Sequence, residues 1–260
     1  MKLKLVYQSV FLAFSLIFLG GSAAFGQLTF VENKGQWGDN VKFRADIPSG
    51  QLFITNGALH YLLADPEPFK EMHDKHKYDK PVQMHYFRVV FEGANPSPTY
   101  KTELTVPTYY NFYLGNDPSK WASGVAGHGK ITVKDLYPNI DLEIFGSRNN
   151  ALKYNLIIHP NANPDVIKMR YEGLDDISLR GGQLHLTTSV GKITELAPIC
   201  YQLADTSIKY VKTDYSLKDN LLTFDIKEKY NRRKSFVIDP ELIFSTYSGA
   251  FGDNWGFTGT

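Results

Sequence analysis

The 260-residue sequence predicts an all-β, sandwich-like antiparallel domain, and three observations carry that expectation. Aromatic residues make up 14% of the chain, with 16 Tyr and 17 Phe, interspersed with 21 Gly and 13 Pro. Period-two alternation of apolar and polar residues recurs along the chain, whereas helical periodicity is scarce. Turn signals separate the alternating runs at short intervals, as in sandwiches and other antiparallel β folds. With 43% hydrophobic and 21% charged residues the composition is that of a globular protein with ample chain for a core. Lys plus Arg number 28 against 27 Asp plus Glu, so the basic excess of a nucleic-acid binder is missing. The single cysteine, Cys200, excludes an intramolecular disulfide framework and any cysteine-built zinc site.

Met1 to Gly26 reads as a secretory signal peptide. Lys2 and Lys4 supply its positive start, Val10 to Leu19 its apolar segment, and Gly20 to Gly26 a small-residue stretch. Ala24 and Gly26 then occupy the −3 and −1 positions of a cut before Gln27. The apolar run is shorter than the roughly 20 residues that span a bilayer, so cleavage is expected rather than stable membrane insertion. No cysteine near the cut allows a lipoprotein anchor. Loss of the two lysines takes the formal charge from +1 to −1. Alone in an exported chain, Cys200 reads as a buried small hydrophobe rather than a nucleophile.

In the mature chain, Gln51–Thr55 and Ala58–Leu63 flank Asn56-Gly57 and predict a hairpin closed by a type I′ turn. Pro66 to Pro81 is a charged, solvated insertion with room for one helical turn. Asp117-Pro118-Ser119-Lys120-Trp121 predicts a short helix, with Asp117 as its cap and Pro118 at its first position. Alternation at Leu152–Ile158 gives one core face. Leu184 and Leu186 alternate after the Gly181-Gly182 turn, and Leu222, Phe224 and Ile226 alternate after Lys218-Asp219-Asn220, with 207–217 as partner strand. Asn95-Pro96, Asp117-Pro118, Asn163-Pro164 and Asp239-Pro240 read as turns. No linker divides residues 27–240, which are expected to form one all-β domain that folds without metal or cofactor.

Several phrases together resemble a known family. They are Phe30–Trp37, Phe91–Pro96, Asn111–Trp121, Asp135–Leu142, Leu152-Lys153-Tyr154 with His159–Pro164, and Tyr171-Glu172-Gly173. The chain is similar, from about Phe30 to Pro240, to the uncharacterised N-terminal domain of large secreted Bacteroidota proteins, where it precedes SBBP-type β-propeller repeats. Such proteins often end in a gliding-motility or type IX secretion sorting domain. Asn139 and Asn161 stand where glycine is expected, and asparagine is the next residue most tolerant of positive φ. Phe244–Gly249 and Asp253–Thr258 resemble the opening strand of an SBBP repeat, so 241–260 is expected to begin a propeller within a longer protein.

Chemistry-bearing motifs are few. Trp37, Trp121 and Trp255 with Tyr109, Tyr110, Phe112 and Tyr113 offer a sugar-stacking platform, although burial in the core is the favoured reading. Gly124–Lys130 has the glycine and lysine spacing of a phosphate loop, but Ile131 stands where a hydroxyl must bind Mg²⁺ and a β-branched run follows. His73, His76 and His85 have the composition of a metal site, yet the first two sit in a solvated lysine-rich stretch. His60, His128, His159 and His185 are scattered. Asp135 with Asp141, and Asp175 with Asp176, are candidate catalytic or Ca²⁺-binding pairs, though acidic residues beside turns are commonplace. No Gly-x-Ser-x-Gly elbow is present. The expectation is a non-enzymatic structural or interaction module of a secreted or cell-surface protein, whose partners are surface proteins or glycans. A carbohydrate-binding module is the alternative, and a hydrolase ranks third.

Overall fold

The computed structural model describes residues 28–69, 81–147, 152–203 and 207–245. The signal-peptide segment, most of the 66–81 insertion with His73 and His76, and Trp255 lie outside the described residues. Each alternating run becomes a strand that buries one face. β1 (Phe30–Glu32), β2 (Phe43–Ile47), β3 (Gly50–Thr55), β4 (Ala58–Ala64) and β5 (Met84–Phe91) follow one another as an antiparallel meander. β6 (Thr99–Phe112) and β7 (Ala122–Tyr137) make a long hairpin, extended by β8 (Ile140–Gly146) and β9 (Leu152–Ile158). After β10 (Met169–Glu172) come β11 (Asp176–Arg180), β12 (Gln183–Thr188) and β13 (Gly191–Glu195), a second meander. β14 (Ile199–Leu203) with β15 (Ile208–Tyr210), and β16 (Thr213–Lys218) with β17 (Leu221–Ile226), form hairpins. β18 (Phe236–Asp239) and β19 (Leu242–Ser245) close the described chain.

Fifteen strands share one sheet in the order β15-β14-β18-β9-β8-β7-β1-β2-β3-β4-β5-β10-β17-β16, with β6 attached to β7. The other sheet is β11-β12-β13-β19. β7 is the pivot. β6 lies along one of its edges, while β1 and β8 take successive stretches of the other, at Gly127–His128 and at Lys130–Tyr137. Two wings therefore leave β7, one through β8 and one through β1, and the sheet does not close into a barrel. Their inner faces share a single core with Leu184, Leu186, Ile193 and Leu242 of the second sheet, among them Tyr61, Phe87, Tyr154, Leu156 and Phe236. This is the antiparallel, sandwich-like arrangement the alternation predicts.

The turns follow their residues, with one exception. Asp219 and Asn220 have φ of 48° and 60°, and Gly181 and Gly182 of 57° and 77°, the paired positive values of type I′ hairpins. Asn139 and Asn161 adopt φ of 58° and 66°, the left-handed geometry for which asparagine substitutes for glycine. At Asn56-Gly57 the hairpin register is as expected but the turn is not type I′: only Gly57 has positive φ. The reason is tertiary, because Asn56 Nδ2 donates to Pro96 O at 2.9 Å and Asn56 Oδ1 accepts from Tyr100 Oη at 2.8 Å. The Asp117 segment forms a single 3-10 turn, Pro118–Lys120, with the Asp117 carboxylate accepting from Ser119 N. Asn95 and Asn163 close the same kind of side-chain turn onto Ser97 N and Asp165 N. Leu242–Ser245, expected to open a propeller repeat, pairs with β13, and Leu242 is buried in this domain's core. The remainder of that expected repeat lies outside the described residues.

Candidate interaction surface

β6 is the outer edge of the pivot strand, so much of its length is solvated on both faces. The β6–β7 pairing is interrupted between Thr105 and Tyr109 and again between Tyr110 and Phe112, which twists the distal half into an arm. Trp37, Tyr110 and Phe112 are half-buried there against Val31, Ala122 and Val125, with Trp37 and Phe112 meeting edge to face at 5.3 Å. Arg44 lies over the Trp37 ring at 5.5 Å. The core reading holds for these rings and fails for three others. Tyr109 (69% exposed), Tyr113 (59%) and Trp121 (43%) face solvent together with Leu104 and Leu114. Tyr109 lies on β6, and Tyr113 and Trp121 flank the loop that joins β6 to β7, at the sheet margin. Trp121 Nε1 donates to Gly115 O at 3.2 Å, and Tyr113 Oη is 2.7 Å from Ser123 Oγ, so both rings are fixed although solvated. The two rings stand at 86° to each other, a wedge rather than a flat platform.

The Gly124–Lys130 stretch, whose sequence argues against a phosphate loop, is strand. Gly124–Lys130 lies within β7, and a Cβ at Gly127 would stand 2.4 Å from Thr29 Cγ2, so that glycine serves close packing. His85 is committed internally: its Nδ1 accepts from Ser189 N at 3.1 Å, and its Nε2 lies 2.8 Å from Gly173 O, to which it donates. His60 bridges Thr55 and Tyr86, while His128 and His185 each contact a threonine on the neighbouring strand. Among the described residues no three His, Cys, Asp or Glu side chains converge as metal ligands. Cys200 is buried, and burial pushes its thiol up to about 11. Asp175 and Asp176 stay exposed at the start of β11. A groove of about 230 Å³ beside β19 is lined by Leu63, Val190, Ile193 and Phe244, with Asp65 and Glu67 at its rim. Asp65 there accepts the Glu67 N–H at 3.0 Å.

Asp135 and Asp141 do come together. Asp135 has φ of 52° at an irregularity in the β7–β8 pairing, and its N–H donates to Asp141 Oδ1 at 2.8 Å. The Asp141 carboxylate, buried, also receives Lys134 Nζ and His159 Nε2, the latter at 2.7 Å. Burial alone would raise its pKa, but the hydrogen bonds from Lys134, His159 and Asp135 prevail and hold it below the ordinary aspartate value. The group clasps the turn that joins β7 to β8. Among the described residues, no hydroxyl or thiol is bonded to this aspartate.

A second polar centre escaped the sequence reading. Glu195, at the end of β13, is fully buried and ties the second sheet to both wings of the first. Its Oε1 lies 2.7 Å from Tyr154 Oη of β9 and 2.8 Å from Tyr215 Oη of β16, and its Oε2 lies 3.1 Å from Tyr171 Oη of β10. Tyr215 Oη is also 3.0 Å from Leu196 O. Four close oxygen pairs need four protons, and three phenols carry only three. A protonated Glu195 would supply the fourth by donating to Tyr215, freeing the Tyr215 proton for Leu196 O. Burial acts in the same direction, holding this carboxyl above the usual carboxylate range against the phenol hydrogen bonds. The available signal is the strand period, because Glu195 falls on the same face of β13 as the core residue Ile193. The centre is enclosed by Leu59, Phe87, Val89, Met169, Leu186 and Leu242, which makes it part of the core.

No curated protein and no solved structure matches the chain. A family model described as a domain of unknown function (DUF7948) matches residues 30–241, the interval that holds the pivot strand, both wings and both polar centres. The chain belongs to the DUF7948 family.

Proposed function

We propose that this domain is a non-enzymatic interaction module of an exported, multidomain surface or secreted protein, and that the β6–β7 arm is its contact surface. The observation that carries this reading is the concentration of Leu104, Tyr109, Tyr113, Leu114 and Trp121 on one solvated hairpin, with Tyr113 and Trp121 held in place by hydrogen bonds. Apolar groups kept rigid in water favour association, since little side-chain freedom is left to lose on binding. Export rests on the Met1–Gly26 segment, and the secreted Bacteroidota setting, with propeller repeats and type IX sorting, rests on the phrase resemblance. Both buried polar centres are spent on the fold, which supports a role other than catalysis.

Four measurements test the reading. N-terminal sequencing of the exported protein is expected to begin at or near Gln27, and an intact Met1 would refute export with cleavage. Replacing Tyr109, Leu114 and Trp121 together by serine should abolish retention on the producing cell's surface while the chain keeps its fold by circular dichroism. Turnover of glycoside, ester or peptide substrates that is lost on Asp141→Asn would replace the non-enzymatic reading with a hydrolytic one. The perpendicular setting of Tyr113 and Trp121 weighs against flat sugar stacking, and glycan-array binding lost on Trp121→Ala would restore it.

A further inference from the structure

A different surface lies at the far end of the large sheet. β15 ends the strand order and, among the described residues, is hydrogen-bonded to β14 on one side only. Its register places Ile208 opposite Leu203 and Tyr210 opposite Tyr201. These four share one face with Ile199, and Ile199, Leu203, Ile208 and Tyr210 are each more than half exposed. The opposite face is basic. Lys209 is directed there beside Gln202, and its Nζ lies 3.4 Å from Lys229 O. The Gln202 amide is locked to the following turn, donating to Asn231 O at 2.8 Å and accepting from Asn231 N at 2.8 Å. That turn carries Arg232 and Arg233 into solvent, and Lys229 precedes it. Glu228 is the carboxylate of this stretch, and it accepts from Lys212 N.

We infer that the open edge of β15 is a docking site for an extended acidic segment of a partner protein, which adds as a further antiparallel strand. A strand laid on this edge sends alternate side chains to the two faces. Apolar residues at one parity cover Ile208, Tyr210 and Leu203, and Asp or Glu at the other parity meet Lys209 and the neighbouring Lys229. Main-chain hydrogen bonds supply affinity and the alternating charge supplies selectivity. Charge also decides against a second copy of this chain: a two-fold pairing of β15 centred on Lys209 would set Lys209 against its own counterpart. Short edge strands bearing lysine are a common defence against self-pairing, and here the same lysine selects an acidic partner. This surface is separate from the β6–β7 arm, so its test stands whatever the arm binds.

The probe is a short synthetic peptide of alternating Val and Glu, with an alternating Val and Lys peptide as control, titrated against the mature chain by fluorescence anisotropy. Binding of the acidic peptide at or below about 1 mM, at least roughly 10-fold tighter than the basic one and weakened by salt, is expected. Lys209→Glu with Lys229→Glu should cost roughly 10-fold or more, and Ile208→Lys a similar factor, with circular dichroism and melting temperature unchanged. Lys209→Arg should bind like the parent, which separates charge from fold. Equal binding of both peptides, or of neither, overturns the inference. So does self-association that Ile208→Lys abolishes, which would assign the edge to a second copy. Binding to anionic phosphatidylglycerol vesicles in place of the acidic peptide would assign it to a lipid surface.

Discussion

Two buried carboxyl groups, Asp141 at the β7–β8 turn and Glu195 in the core, sit in this domain under opposite chemistry. Asp141 meets an ammonium, an imidazole and a backbone N–H, all donors, and its pKa is lowered. Glu195 meets three phenols whose protons are too few for the contacts they make, and its pKa is raised. What differs is where they sit. The Asp141 clasp stands at the margin, where Lys134 and His159 remain partly solvated and balance a full negative charge. Glu195 lies where the two wings and the second sheet converge, and among the described residues its side-chain partners are phenols rather than cations, so neutrality is the cheaper state. Burial pushes both carboxyls up, and the hydrogen bonds around each decide the outcome: they overcome burial at Asp141 and fail to do so at Glu195.

The largest effect should come from Glu195→Ala. It removes the carboxyl partner of Tyr154, Tyr171 and Tyr215, leaves Tyr215 only Leu196 O, and opens space between the sheets, at a cost of about 3–5 kcal/mol. Glu195→Gln keeps the volume and supplies the missing proton from its amide, so its cost should stay within about 1 kcal/mol. Urea unfolding of both variants reads the difference. A glutamine variant as unstable as the alanine one would mean that Glu195 is ionised.

The pH profile is expected to carry two opposing slopes. Glu195 is raised above its unfolded value, so its contribution is complete below about 4.5 and is lost as pH rises through the folded value. Asp141 is lowered, so its contribution is present above 3.8 and is lost as pH falls through the folded value. In Glu195→Gln the decline on the alkaline side should flatten while the acid limb persists. In Asp141→Asn the acid limb should flatten instead. The Asp141 change should cost about 1–2 kcal/mol, because Lys134 and His159 are solvated enough to be screened. Identical profiles in parent and variants would remove the contrast between the two sites.

Much of the fold was legible because strand period and turn chemistry are local. The alternation of Leu152–Ile158 and Leu222–Ile226 marks β9 and β17, and Asp219-Asn220 and Gly181-Gly182 close hairpins as their residues require. The branching of the sheet at β7 was not legible, since it depends on which half of a sixteen-residue strand receives β1 and which receives β8. The Glu195 centre was hidden for a related reason. Tyr154, Tyr171 and Tyr215 come from three strands far apart in sequence, and only the fold makes them neighbours. The Asp135–Asp141 pair was visible as two residues, but its role in holding a turn needed Lys134 and His159 in place.

The smallest stability effect is expected on the arm, and it tests whether exposed and buried tyrosines are held for different reasons. Tyr109→Ser and Trp121→Ala remove groups that touch water on much of their surface and, for Trp121, one hydrogen bond to Gly115 O. Each should change unfolding free energy by no more than about 0.5–1 kcal/mol. Tyr154→Phe, which deletes a single oxygen, should cost about 1–2 kcal/mol, since it leaves Glu195 short of a buried donor. The larger deletion therefore has the smaller consequence, opposite to the order that side-chain size alone would give. Parallel thermal melts of the three variants decide the point. A Trp121→Ala melt depressed as far as that of Tyr154→Phe would show that the arm's rings support the fold, and would remove the reason for reading them as a surface kept for a partner.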